Sequence, residues 1–261
     1  MDQPRLMGVV NATPDSFSDG GQHLGEAAIT HGLALMKEGA DLLDIGGEST
    51  RPGAEPVPED EESRRVLPVV EALAAHAPVS VDTRKAGVAR GALAKGATLI
   101  NDVSALTYDK AMASVIAGAE APVCLMHSAG DPKTMQDDPT YEDVLLDVYD
   151  ALADRVDAAQ IAGIARSRIV VDPGIGFGKT EAHNLALLKR LSLFHGLGCP
   201  ILLGVSRKGF IGRIGGEPVP DRRVPGSVAV ALHGIRQGVQ ITRVHDMAAT
   251  RQAMALQLAL F

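Results

Sequence analysis

Ile169–Ser206 reads IVVDPGIGFGKTEAHNLALLKRLSLFHGLGCPILLGVS, and its pattern decides the fold class. Two short apolar runs, Ile169–Gly174 and Ile201–Ser206, flank a segment with helical spacing over Glu181–Leu193, where Leu185, Leu188 and Leu191 recur. The runs are continuous in their hydrophobicity, as expected of strands covered on both faces in a parallel sheet. Working outward, similar runs occur at Leu6–Asn11, Ala40–Gly47, Val79–Thr83, Thr98–Ser104, Pro122–His127 and Gln240–Asp246. Helix-like stretches separate them, among them Tyr141–Ile161 with Val144, Leu145, Val148, Leu152 and Val156. That makes eight candidate strands in 261 residues, a repeat of about 33. Eight alternating β and α units in about 250 residues predict a (β/α)₈ TIM barrel of the α/β class. An open doubly wound sheet is the alternative, but it usually stops at about five or six strands. No linker or low-complexity tract divides residues 1–261, so a single domain is expected.

Composition narrows the class of partner. The chain is 46% hydrophobic and 22% charged, which excludes wholesale disorder. Lys and Arg total 25 against 32 Asp and Glu, a formal net charge of −7. Without a polybasic patch, nucleic acid is not an expected partner, and any anion must be held by a few placed cations. No apolar run reaches the roughly 20 residues of a membrane span, and the N-terminus MDQPRLMGVV lacks a secretory apolar region. A cytoplasmic protein is expected. Cys124 and Cys199 lie in apolar runs without metal-ligand spacing and read as buried free thiols.

Polar residues end the apolar runs. Asn11, Glu48, Asp82, Asn101, His127, Asp172, Ser206 and His245 fall at, or just past, the C-terminal ends of the predicted strands. A polar residue there often caps the next helix. Eight of them at the end of a barrel that carries catalytic loops read as a site. Residues two apart on a strand share a face, so Ser80 would point with Asp82, Val170 with Asp172 and Arg243 with His245. Two carboxylates in an apolar barrel mouth need donors or cations, which a ligand with several N–H groups would supply. Lys208 and Arg243 add cations suited to phosphate or carboxylate. SRKGFIG (Ser206–Gly212) follows the seventh strand, where barrels often bind anions with help from a helix N-terminus. Two long connections, Ala12–Leu24 and Glu48–Pro58, read as lids or binding loops. DPGIGFGKT (Asp172–Thr180) ends like a Walker A loop, but Pro173 stands where that loop needs glycine. Lys179 therefore reads as a surface or helix-start residue, and the glycines as room for a flat ligand to approach the backbone.

These stretches carry a family likeness. MGVVNATPDSFSDGG (Met7–Gly21), DIGGESTRPGA (Asp44–Ala54), SVDTRK (Ser80–Lys85), INDVSAL (Ile100–Leu106), LMHSAGDPKTMQ (Leu125–Gln136), DPGIGFGK (Asp172–Lys179), GVSRKGFIG (Gly204–Gly212) and RVHD (Arg243–Asp246) resemble the dihydropteroate synthase family, in the same order over nearly the whole chain. The resemblance implies condensation of 6-hydroxymethyl-7,8-dihydropterin diphosphate with 4-aminobenzoate, giving 7,8-dihydropteroate and diphosphate with Mg²⁺. It implies Asn11 as metal ligand, and Thr50, Asp82, Asn101, Asp172, Lys208, Arg243 and His245 as pterin diphosphate contacts. Met126 and Phe177 match positions lining the pterin pocket. Phe17, Arg51, Pro52 and Ser206 match positions at the aminobenzoate side, where sulfonamides compete in the family. Asp82, Lys208, Arg243 and His245 are the expected catalytic residues, and a homodimer is expected. Ser128 is a small departure, standing where members often carry a second Met. Two competing readings are a methyltetrahydrofolate-dependent methyltransferase of the same fold and a pterin-binding paralogue without turnover. The complete TPDSF, STRPG and SRK segments argue against both.

Overall fold

The computed structural model describes residues 3–13, 22–49, 55–129 and 139–260. Its strands are β1 Arg5–Asn11, β2 Leu42–Gly46, β3 Val79–Asp82, β4 Leu99–Asp102, β5 Val123–Met126, β6 Ile169–Asp172, β7 Leu202–Gly204 and β8 Ile241–Val244. All pairings are parallel, in the order β6-β5-β4-β3-β2-β1-β8-β7. A bridge between Val171 and Ile201 joins the two ends, with the Val171 N–H donating to the Pro200 carbonyl at 2.9 Å. Pro200 lacks an N–H and cannot lengthen that ladder. The sheet is therefore a barrel with one lightly bonded seam.

Helices α1 Gln22–Lys37, α2 Glu59–Ala74, α3 Ala86–Ala94, α4 Met112–Gly118, α5 Val144–Ile161 and α6 Glu181–Lys189 follow the first six strands. Two helices, α7 Gly209–Gly215 and α8 Val224–Arg236, fill the connection after β7, and α9 Met247–Leu260 follows β8. Local signals place their ends. The Asp143 carboxylate caps α5 by accepting the Leu145 N–H at 2.9 Å, and Thr180 with His183 forms a capping box at α6. The helical pattern expected through Leu193 stops at Lys189 and tightens into a 3₁₀ segment, Leu191–Leu197. That segment still buries Leu191, Phe194 and Leu197.

Strand residues sort by alternation. Val10, Leu43, Ile45, Val79, Val81, Ile100, Leu125 and Val171 point outward into the layer shared with the helices. Inside the barrel, Met7, Leu99, Cys124, Val170, Leu202 and Ile241 pack as a separate apolar layer against Leu42. Truncating one of these large side chains to Ala should cost about 2–5 kcal/mol. Cys124 and Cys199 are buried free thiols, as their apolar surroundings predict. No helix among the described residues is long and apolar enough to cross a membrane.

Candidate active site

The apolar barrel layer determines what lies above it. Two residues further along each strand, on the same face, Leu42 gives way to Asp44, Leu99 to Asn101, Cys124 to Met126, Val170 to Asp172 and Ile241 to Arg243. Asp82 joins them from β3, paired in register with Gly46 on one side and Asn101 on the other. The polar layer therefore sits toward the C-terminal ends of the strands, on an apolar floor.

Arg243 organises half of this layer. Its Nε donates to Asp44 Oδ2 at 2.6 Å, and its Nη2 donates to Asp82 Oδ2 at 3.2 Å. Asn101 Nδ2 donates to the same Asp44 oxygen at 3.2 Å. Removing Arg243 would leave two buried carboxylates unpaired, a loss of about 3–5 kcal/mol. Asp44 is fully buried and Asp82 is 8% exposed. Oδ1 of each is buried and has no hydrogen-bond partner among the described residues. Burial, and then repulsion from Asp44, raises the Asp82 carboxyl to about 8, with Arg243 opposing. Acceptors of this kind call for a ligand that brings N–H donors or positive charge.

Asp172 and Lys208 form the other half. Asp172 Oδ1 accepts the Gly174 N–H at 2.7 Å, and burial raises its carboxyl despite that bond and nearby Lys208. The Lys208 ammonium donates to the Ile175 carbonyl and lies 4.3 Å above the Phe177 ring. Burial lowers it to about 8, opposed by Asp172. Lys208 caps α7 as the last residue of the SRK turn. Its stem crosses Gly176, where φ is +83° and an added Cβ would lie 3.1 Å from Lys208 Cδ. At Gly174, φ is +66° and a Cβ would collide with the His127 carbonyl. The glycines of this loop therefore serve close packing of the protein on itself, rather than only the approach of a flat ligand.

The expected site residues separate into groups. Asp82, Asn101, Met126, Asp172 and Arg243 share the barrel interior, with Lys208 near Asp172 and Phe177 against the Lys208 ammonium. Asn11 ends β1 and is half-buried. Ser206 is buried and bonded to His245, its hydroxyl accepting the His245 N–H at 3.1 Å and lying 3.0 Å from Nδ1. Phe17, Thr50, Arg51 and Pro52 lie outside the described residues. Asp44 is the residue that the strand-end criterion misses, because it stands in mid-strand. Its relation to Leu42 was the available signal. Glu48 and His127 do lie just past strands, but they bond to neighbouring connections instead of the interior.

Lys179 corrects its sequence reading. It does precede α6, but it is only 3% exposed. Its ammonium lies 2.9 Å from His127 Nδ1 and donates to the Phe177 carbonyl at 2.9 Å. Its partners, the His127 ring and carbonyl and the Phe177 carbonyl, come from the connections after β5 and β6, which the local sequence does not bring together. Burial lowers Lys179 to about 7, with Lys208 adding to the shift and Asp172 opposing it. Burial and the Lys179 charge lower His127 to about 3.

These shifts predict a pH profile for stability. Asp82, raised from 3.8 to about 8, makes the fold bind more protons than the unfolded chain, so its contribution falls as pH rises toward 8. Lys179, lowered from 10.5 to about 7, makes the fold bind fewer protons, so its contribution grows above 7. Lys208 adds the same sign above about 8. The ligand-free chain should be least stable near pH 7–8. Lys179→Met should move that minimum toward pH 8 and roughly halve the recovery between about pH 8 and 9, read from urea midpoints. An unchanged recovery would contradict the assignment of this shift to Lys179.

Comparison with known proteins agrees with this geometry. The family described as "Pterin binding enzyme" matches residues 7–245. The dihydropteroate synthase of Neisseria meningitidis is 48% identical over 100% of this chain and 94% of its own length. A structure of Xanthomonas albilineans dihydropteroate synthase with 4-aminobenzoic acid superposes with a TM-score of 0.94 at 51% identity, covering 99% of this chain and 93% of that one. Another from the same organism, in complex with 7,8-dihydropteroate, has a TM-score of 0.90 at 47% identity, covering 99% and 94%. With a polar layer of carboxylates and cations on an apolar barrel floor, and likeness over nearly the full length of these relatives, the chain belongs to the dihydropteroate synthase family of pterin binding enzymes.

Proposed function

We propose that residues 1–261 act as one pterin-binding barrel domain that condenses 6-hydroxymethyl-7,8-dihydropterin diphosphate with 4-aminobenzoate, releasing 7,8-dihydropteroate and diphosphate. The observation that carries this reading is the set of three strand-borne carboxylates, two of which have buried oxygens without a donor among the described residues. A pterin edge presents its 2-amino group and N3–H side by side, which one carboxylate accepts in parallel. Asp172 takes that edge, Lys208 serves the ring acceptors, and Met126 and Phe177 line the ring faces. Arg243 stacks on the ring or meets phosphate. The ligands bound to the Xanthomonas relatives, an arylamine substrate and a pteroate, support the same substrate pair for this chain.

Departure of diphosphate leaves positive charge on a methylene conjugated with the electron-rich dihydropterin. The displacement is therefore dissociative, and Asp82 stabilises the cationic ring as it forms. His245 helps to hold the leaving diphosphate. The neutral arylamine then attacks the methylene and needs no strong base. Bond making to nitrogen and bond breaking to the diphosphate oxygen balance, with the surplus proton lost from the new ammonium.

Mg²⁺ fits the residues present. Asn11 offers one hard amide oxygen at the end of β1, and this ion takes few protein ligands, completing its shell from phosphate oxygens and water. Among the described residues no cluster of three or more His, Cys, Asp or Glu forms a separate metal centre. When bound, Mg²⁺ would neutralise charge building on the leaving diphosphate. A cytoplasmic homodimer is part of the same reading, supported by Leu256, Leu258 and Leu260 exposed on α9. Diphosphate release should require both Mg²⁺ and 4-aminobenzoate. EDTA should stop release while leaving pterin binding measurable. Pterin binding without release under any condition would favour a binding-only paralogue.

A further inference from the structure

Between the barrel rim and α2 lies an ion cluster that the reaction does not use. Glu48 stands two residues past β2, at the start of the connection to α2. Its Oε2 accepts the Val57 N–H at 2.9 Å, so the carboxylate ties the start of that connection to its end. Oε1 accepts from Arg84 Nε at 3.1 Å and ion-pairs with Arg84 Nη2 at 2.9 Å. Lys85 Nζ reaches Glu48 Oε2 at 2.5 Å and also binds Glu62 on α2. The four side chains are 10% exposed or less. Arg84 is braced against the Tyr108 ring, 4.2 Å from its centroid, and Arg65 Nη1 donates to the Gly47 carbonyl at 3.0 Å.

Buried ion clusters are poor stabilisers, because desolvation offsets much of the attraction. Here burial also raises the Glu62 carboxyl, against the pull of its bond to Lys85. An apolar substitute would hold α2 to the barrel at least as well, so the arrangement is better explained by what it positions. Arg84 and Lys85 follow Asp82 by two and three residues, and Gly46 abuts the Asp82 side chain. The cluster thus locks the ends of the β2–α2 connection to the turn that leaves Asp82. Most groups expected at the pterin, Asp82, Asn101, Met126, Asp172 and Arg243, lie on strands, with Lys208 and Phe177 on the connections after β7 and β6. A nucleophile attacking the pterin methylene must come from the open end, past the connections.

We propose that the Glu48–Arg84–Lys85–Glu62 cluster is a clasp on the β2–α2 connection, and that Glu48 is thereby a positioning residue for the arylamine. This rests on the synthase reading above. Its effect falls on the second substrate because, Thr50 apart, the residues expected to hold the pterin lie outside the clasped connection.

Two variants test it. Glu48→Gln keeps an oxygen for the Val57 N–H and loses the charge that holds Arg84 and Lys85. It should raise KM for 4-aminobenzoate about tenfold, with kcat and the pterin Kd within about twofold. Glu48→Ala should also speed hydrogen exchange at the Val57 amide about 100-fold, with exchange in β3 and β6 unchanged. If Glu48→Ala does not fold, Glu48→Gln decides by its kinetics. Equal losses in pterin binding and arylamine KM, or an unchanged KM, would overturn the positioning role. Unchanged Val57 exchange in a folded Glu48→Ala would overturn the clasp. A wild-type chain that makes no dihydropteroate would instead remove the synthase reading and the arylamine role with it, while Val57 exchange would still decide the clasp.

Discussion

Asp82→Asn is expected to lower kcat about 100- to 1000-fold while changing the Kd of dihydropterin diphosphate by less than about fivefold. The amide keeps the size and hydrogen-bonding oxygen of the carboxylate but loses the charge that faces the cationic pterin. Folding should survive, because Arg243 keeps its bond to Asp44 at 2.6 Å and the repulsion between Asp44 and Asp82 disappears. Asp82 also sets a pH dependence. With its carboxyl raised to about 8 in the ligand-free chain, the ionised form that catalysis needs accumulates as pH rises. The kcat/KM for the pterin substrate should therefore rise with pH and level off near 8, and Asp82→Asn should lose that limb. Stopped-flow release of diphosphate, with pterin affinity measured separately, gives both quantities. Equal loss of turnover and affinity would mean that Asp82 only binds the ground state.

Asp172→Asn is expected to act the other way, raising the pterin Kd about 100-fold. Two N–H donors of the pterin edge would meet one oxygen and one NH₂ group, so one charge-assisted pair is lost and a donor faces a donor. The Gly174 N–H would still find an oxygen, so the turn after β6 should hold. Calorimetric titration with the pterin substrate gives the answer directly. A Kd within about threefold of the wild type would remove Asp172 from the pterin edge.

Local pattern carried the architecture. The Ile169–Ser206 unit and its repeats mark the number of strands and their sequence along the chain, because a strand covered on both faces reads as a nearly continuous apolar run. The predicted strands run long at their C-terminal ends for a specific reason. Thr98–Ser104 shortens to Leu99–Asp102 because the Asp102 carboxylate turns to accept the Ser104 and Leu106 N–H groups at 2.8 Å each. Ala105 and Leu106 then adopt positive φ. Such an exit turn is written in a side-chain bond, not in hydrophobicity.

The polar residues of the barrel layer were legible where they stand at or next to strand ends, as Asp82, Asn101 and Asp172 do. Asp44 was not, since its role depends on which alternate face of LLDIG points inward, and that follows from register with β1 and β3. Lys179 was misread because its burial comes from the meeting of the connections after β5 and β6. Glu48 was placed correctly just past a strand, but the cations that hold it, Arg84 and Lys85, lie 36 and 37 positions away. No local window contains them.

A single-turnover experiment with the purified chain in excess over dihydropterin diphosphate, with saturating 4-aminobenzoate and Mg²⁺, tests the central claim most directly. One dihydropteroate and one diphosphate are expected for each pterin consumed, with neither formed when the arylamine is withheld. Pterin bound in full, with no dihydropteroate formed, would contradict it.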